Sequence, residues 1–245
     1  MKSPKRRFFG IINFMEKINI QVGEENIAGV ILRNNPEMKP NFVFFHGGGS
    51  SSKDRVFAFS DALIENDFSI MAIDFSGHGE STGLLKEASL EKRVNQAKAV
   101  VEGYADLENL TVCGASMGGE IALRMLKEFS VKNLILFCPA IYNQDAFKIN
   151  FGYGFTELIR QPESWRSSLS LGLLQKFTGN LLIIIGEDDE VIPKEVIDLL
   201  DNNSFTSKKK EIIRIPNCPH KILSWLKQHP EIALDVANKI KDFIS

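Results

Sequence analysis

The stretch that most constrains this chain is Leu110-Thr-Val-Cys-Gly-Ala-Ser116-Met-Gly-Gly-Glu120, an apolar run that ends in Gly-x-Ser-x-Gly and passes at once into an amphipathic segment. Ile121, Ala122, Met125, Leu126 and Phe129 recur at helical spacing, so Ser116 stands between a buried strand and a helix. A serine on so sharp a turn is held in a strained backbone conformation, and glycines two residues either side, Gly114 and Gly118, avoid clashes. Such a turn exposes Ser116 Oγ. It also aims the first helical N–H groups, Met117 foremost, at any anion that forms beside the serine.

The three-point pattern is common enough to need context, because the chain contains it twice. Gly79-Glu-Ser81-Thr-Gly83 is the second match. Its nearest strand-like run ends near Asp74 and the next helical pattern starts near Leu90, so no strand enters Ser81 and no helix leaves it. Ser116 is therefore the expected nucleophile.

A length of 245 residues suits one α/β domain with a sizeable core. Formal charge is −2, which argues against a nucleic-acid partner. No apolar run approaches the ~18 residues of a membrane span, so stable membrane insertion is not expected. Three cysteines at irregular spacing form neither a disulfide framework nor a metal cluster, and they fit a reducing, cytoplasmic setting. Residues 1–17 are basic and then apolar, but the apolar part is short and broken by Asn13. An ordinary leader into the first strand is expected there, ahead of a signal peptide or a weak membrane contact.

Lys17 to Val22 and Asn26 to Leu32 alternate around Gly23-Glu-Glu and read as an edge hairpin. Continuous apolar runs at Phe42 to Phe45, Ser69 to Asp74, Leu110 to Cys113, Val131 to Cys138 and Leu181 to Ile185 read as buried strands. Helical segments at Ser60 to Asn66, Leu90 to Tyr104, after Ser116, opening at Pro193 and from Glu231 to Phe243 alternate with them. Lys208 to Ile215 reads as the last strand and Pro216 to His220 as a loop. The pattern predicts a mostly parallel sheet of about eight strands with helices on both faces. Residues 139–179 break the rhythm and read as a lid insertion. Its aromatic residues, Phe147, Phe151, Tyr153, Phe155 and Trp165 among them, would either roof an apolar pocket or pack as a small helical insertion.

Acyl transfer needs a serine, a base to take its proton and an acid to orient that base. His220 follows the last strand directly, whereas His229 beside Pro230 reads as surface and His78 as a structural residue in a glycine-flanked loop. Among Glu187, Asp188, Asp189 and Glu190, the acid expected is Asp189, with Asp188 or the more distant Asp145 as alternatives. A metal site in this cluster is not expected, nor is a cofactor. The glycines after His46 in His46-Gly-Gly-Gly49 let backbone N–H groups approach a ligand, as half of an oxyanion hole requires.

The order Ser116, Asp189, His220, with His46-Gly-Gly-Gly49 before it, resembles the α/β-hydrolase superfamily. Asp74-x-x-Gly-His-Gly-x-Ser81 is similar to that superfamily's loop after its fourth strand, and Gly186-x-x-Asp189-x-x-Ile192-Pro193 to its acid loop. The branch it looks closest to holds small-lidded esterases, monoacylglycerol-lipase-like and serine-aminopeptidase-like proteins. The resemblance implies an α/β-hydrolase fold with Ser116 as nucleophile, Asp189 as orienting acid and His220 as base. Gly48 and Met117 would supply the oxyanion-hole N–H groups. It implies a serine hydrolase acting through an acyl-enzyme on small-molecule esters or thioesters of small to medium acyl groups. Amide or peptide cleavage and acyl transfer are the alternatives, and a non-enzymatic binding member of the fold is a further one.

Overall fold

Period-two alternation along the strands sets the two layers of the core. In Phe42–Phe45, Val43 and Phe45 enter one buried cluster while Phe42 and Phe44 enter the other, and Leu181 to Ile185 divides in the same way. The computed structural model describes residues 14–66 and 68–245. The expectations for the N-terminal leader fall mainly on residues 1–13 and lie outside the described residues.

The strands are Phe14–Val22 (β1), Glu25–Arg33 (β2), Phe42–Phe45 (β3), Ile70–Ile73 (β4), Thr111–Ala115 (β5), Asn133–Phe137 (β6), Asn180–Asp188 (β7) and Lys209–Pro219 (β8). They form one sheet in the order β1-β2-β4-β3-β5-β6-β7-β8. Only β2 runs against the rest. The helices are Ser60–Ile64 (α1), Leu90–Tyr104 (α2), Met117–Glu128 (α3), Tyr153–Ile159 (α4), Ser170–Leu174 (α5), Lys194–Asn202 (α6), Ile222–Leu226 (α7) and Pro230–Ile244 (α8). Apolar faces of α2 to α6 pack on one side of the sheet, and those of α1, α7 and α8 on the other. This is the α/β-hydrolase architecture.

Parallel direction carries a functional consequence, because β3, β5, β6, β7 and β8 all deliver their following residues to one edge of the sheet. His46, Ser116, Cys138, Asp189 and His220 each stand at or just past such a strand end.

Two local expectations are corrected. β8 continues to Pro219 instead of stopping at Ile215, since proline is tolerated on an edge strand. Pro193 caps α6 from outside with an extended ψ of 141°, so α6 starts one residue later, whereas Pro230 does open α8. Of the two alternatives for residues 139–179, packing as a small helical insertion is supported by Phe147, Phe155 and Phe177, which are buried in the cluster that contains α2 and α3, while Tyr153 stays exposed. A buried carboxylate anchors the insertion, for Glu120 of α3 accepts hydrogen bonds from Arg124 Nε at 2.8 Å and from Ser170 Oγ of α5 at 2.6 Å.

Candidate active site

Ser116 sits between β5 and α3 with φ 52° and ψ −119°, a conformation costly for a residue with a Cβ. Its backbone is held on two sides. The Ser116 N–H donates to Phe137 O at 2.9 Å, and its carbonyl accepts from Gly119 N–H at 2.8 Å and Ala140 N–H at 3.0 Å. The flanking glycines are required by close approach. A Cβ on Gly114 would lie 2.1 Å from Gly118 O, and one on Gly118 would lie 2.1 Å from Phe45 O.

Two hydrogen bonds link serine, histidine and acid. Ser116 Oγ lies 3.0 Å from His220 Nε2, and His220 Nδ1 lies 2.8 Å from Asp189 Oδ2. An ionised carboxylate only accepts, so Nδ1 carries the ring proton and Nε2 is left free to take one from the serine. Burial pushes the Asp189 carboxyl up, but hydrogen bonds from His220, Ile192 N–H and Val191 N–H outweigh it and hold the group below its ordinary value. Neither alternative acid takes this place: Asp188 and Asp145 are exposed.

Gly48 and Met117 are brought together beside the serine, since a Cβ on Gly48 would stand 3.3 Å from Met117 Cε. Among the described residues the Gly48 N–H has no hydrogen-bond partner. The Met117 N–H, in the first turn of α3, has none within its helix. The Gly47 carbonyl is held from the inner side by His46 Nδ1 at 2.7 Å and by Arg93 Nη1 at 3.4 Å. Since the trans peptide plane is rigid, pinning that carbonyl turns the Gly48 N–H to the opposite side, where Gly48 lines the pocket. His46 Nε2 accepts from Phe75 N–H at 3.1 Å, which leaves Nδ1 to donate. Burial and the Arg93 charge hold His46 well below its ordinary range, so its ring is neutral.

Arg93 is a residue that sequence reasoning missed. It is the bulkiest fully buried side chain, and among the described residues no carboxylate pairs with it. Burial lowers it to about 10, so it stays charged at neutral pH. Its guanidinium reaches Met117 Sδ at 3.2 Å and His78 at 3.3 Å and lies over the rings of Phe75 and Phe151. A cation thus touches the Met117 side chain and the Gly47 carbonyl, whose peptide carries the Gly48 N–H. An arginine inside an amphipathic helix carries no sequence signal for this, because most such residues face solvent.

Cys138 was missed as well. It has φ 41° at the end of β6, and its Sγ, an Asp189 oxygen and a His220 nitrogen all lie within 4.8 Å of one another. Burial pushes the thiol up, keeping it protonated, and the acid and ring nitrogen bond each other, so the trio is poorly suited to a cation. His78 is buried, with Ser76 O and Arg93 as partners, and His229 stacks on Trp225. Neither joins the Ser116 group.

A pocket of about 360 Å³ opens on Ser116. Its walls come from residues 47–51, Arg55 and residues 220–224 with Ala115 and Phe137, and no residue of 139–179 lines it. The aromatics of that insertion therefore do not line this pocket; Phe147, Phe155 and Phe177 are buried in the core.

The arrangement has the parts for proton transfer from Ser116 Oγ and for charge stabilisation beside it. No curated protein sequence matches the chain. Solved structures similar to it include Est1E from Butyrivibrio proteoclasticus, with ferulic acid bound. That protein has 20% identity and a TM-score of 0.70, with 93% of this chain and 99% of that one covered. The Pyrococcus furiosus esterase Pf2001 has 18% identity and a TM-score of 0.67, covering 95% of this chain and 93% of that one. The thioesterase domain from the curacin biosynthetic pathway has 15% identity and a TM-score of 0.67, covering 95% and 99%. At these identities the likeness is one of fold. A family profile described as serine aminopeptidase, S33, matches residues 36–171, more than half of the sequence. On that match and on its fold, the chain is a hydrolase that belongs to the serine aminopeptidase, S33, family within the α/β-hydrolase superfamily.

Proposed function

We propose that this hydrolase uses Ser116 as its nucleophile and cleaves carboxylic esters or thioesters of small to medium acyl groups. The observation that carries the reading is the pair of hydrogen bonds running from Ser116 Oγ through His220 to Asp189, set on the strained turn after β5. Ser116 Oγ attacks the carbonyl carbon while its proton passes to His220 Nε2. The developing oxyanion accepts from the Gly48 and Met117 N–H groups, with the buried Arg93 charge behind them. Collapse breaks the bond to the alcohol or thiol, which takes the proton from His220. Water then repeats the sequence and frees the acid.

The family match also favours a second reading, cleavage of amides at a free α-amine. An amine of that kind needs a carboxylate in the pocket, and the lining of the Ser116 pocket has none. Ester or thioester cleavage is therefore preferred over peptide cleavage, and water over another acyl acceptor. The natural partner is a small-molecule substrate. Three buried free cysteines fit a reducing, cytoplasmic location, and no described helix is long and apolar enough to cross a membrane.

A fluorophosphonate probe and a panel of p-nitrophenyl esters and aminoacyl-anilides test the reading. Expected are labelling at Ser116, and ester turnover that rises from acetate to a medium chain length and then falls. Anilides cleaved faster than every ester would overturn it in favour of the peptidase.

A further inference from the structure

The lining of the pocket beside Ser116 is of two kinds. Ala115, Phe137, Ile222 and Leu223 make part of its wall apolar. Ser50, Ser51, Arg55, Lys221 and Ser224 supply two cations and three hydroxyls, and no carboxylate lines it. A second hollow of about 230 Å³ continues from Arg55 and Leu223 and adds Lys227; its one acid, Asp54, is exposed. The sequence as a whole carries 31 acidic and 29 basic side chains, so the mouth of the site is opposite in sign to the chain.

Arg55 is the fixed member of this set. Its Nη1 donates to Ser224 Oγ at 2.6 Å and its Nη2 to the Ser50 carbonyl at 3.3 Å, so the guanidinium ties the two segments that form the pocket. It is half-buried, and among the described residues no carboxylate pairs with it. A guanidinium has five N–H donors, and these two bonds leave others free for a ligand. Half-burying such a charge without an anion forfeits hydration that a bound oxyanion would replace.

We infer that the substrate carries an anionic oxygen group, carboxylate or phosphate, which lies along Arg55 and Lys221 while the scissile carbonyl sits at Ser116. The inference rests on the ester-hydrolase reading and specifies its substrate class. The apolar wall takes the neutral part of the same molecule. Positive potential at the mouth adds to the rate of encounter, an effect that salt weakens.

The test compares phenyl acetates bearing at the para position a carboxylate, a phosphate monoester, a methyl ester or a trimethylammonium group. Each is assayed with wild type, Arg55→Gln, Arg55→Lys and Lys221→Gln. Comparing enzymes on one substrate cancels its intrinsic reactivity. The ratio of kcat/KM for an anionic over the neutral ester should fall about tenfold or more in Arg55→Gln, as expected for a charge-assisted hydrogen bond. It should recover in part in Arg55→Lys and fall less in Lys221→Gln, a surface change that leaves the wall intact. Whichever anion shows the larger fall identifies the group.

Equal losses on anionic and neutral esters, or a preference for trimethylammonium, overturn the inference while leaving ester hydrolysis standing. If no ester is turned over, the ester-hydrolase reading fails by itself. Calorimetric binding of 4-hydroxybenzoate and 4-hydroxyphenyl phosphate then decides the subsite: weaker binding to Arg55→Gln than to wild type supports it, and equal or absent binding sinks it.

Discussion

The chain carries Gly-x-Ser-x-Gly twice, and the two copies are put to opposite uses. Ser116 stands on a turn from β5 to α3, with its hydroxyl facing a pocket and a histidine. Ser81 spends its hydroxyl inside the scaffold, donating to the Asp74 carbonyl at 2.6 Å and accepting from the Ala28 N–H of β2 at 2.8 Å. The glycines differ too. Gly114 and Gly118 are needed because backbone passes close by, while Gly79 and Gly83 have φ of 51° and 89° and shape a loop. The same three letters make a reactive group where strain is imposed from both sides, and a tie where the hydroxyl finds two backbone partners.

The largest effect that would break this contrast belongs to Ser116→Ala. Turnover and probe labelling should fall on the order of 10⁴-fold or more, with little change in Tm. Equal loss from Ser81→Ala with the fold intact would assign the chemistry to the wrong copy.

Asp189→Asn comes next. It keeps the shape but favours the wrong His220 tautomer, so kcat should drop by about 10⁴. Asp188→Asn, one residue away at an exposed position, should leave kcat within a few-fold. Steady-state kinetics on one ester distinguishes the two, and the reverse order would shift the acid by one residue.

Much of this was legible because it lies on regular elements. Leu90 to Tyr104 reads as a helix and is one with the same ends, capped by Ser89 Oγ accepting from Lys92 N–H at 3.1 Å. Ser116 and Asp189 follow strands that are apolar in sequence and His220 follows the edge strand β8, so their convergence follows from parallel direction. What brings His220 to Asp189 was not legible. After Ile215, β8 irregularly rejoins β7 so that Pro219 faces Asp188, and Gly186 lets Cys218 O approach where a Cβ would stand 2.0 Å away. That depends on a backbone contact between two strands, which composition does not encode. Arg93 was illegible for a related reason, since its environment is supplied by distant segments.

The scaffold copy yields the third prediction. Ser81→Ala leaves the Ala28 N–H and the Asp74 carbonyl without their partner at a partly buried site. The cost should be about 2 kcal/mol. In a chain of this size that lowers Tm by about 4–8 °C, while kcat on a neutral ester holds. Calorimetry and one assay decide it, and a fall in kcat without a fall in Tm would contradict a structural role for Ser81.

The smallest effect concerns the acid sensitivity of the same loop. Asp74 is buried and accepts from Lys53 N–H and Nζ, both at 2.7 Å, and Lys53 Nζ also meets Glu80 at 2.7 Å. Hydrogen bonds from Lys17 and Lys53, with their charges, lower Glu80 from 4.5 to about 2. A carboxyl depressed on folding stabilises the native state above its unfolded value, and that contribution disappears as pH falls through the folded one. The Glu80 contribution is thus complete above about pH 4.5 and is lost on the way to about pH 2. Glu80 is exposed, so the effect is small and screened by salt. Wild type should melt slightly above Glu80→Gln at neutral pH, and the two curves should converge as pH approaches about 2. Neutral-pH turnover should be the same in both, because Glu80 serves the loop of Ser81 and not the turn of Ser116. A gap in Tm that widens on acidification would mean that Glu80 is held in its protonated form, and that the loop is tied down by something other than these charges.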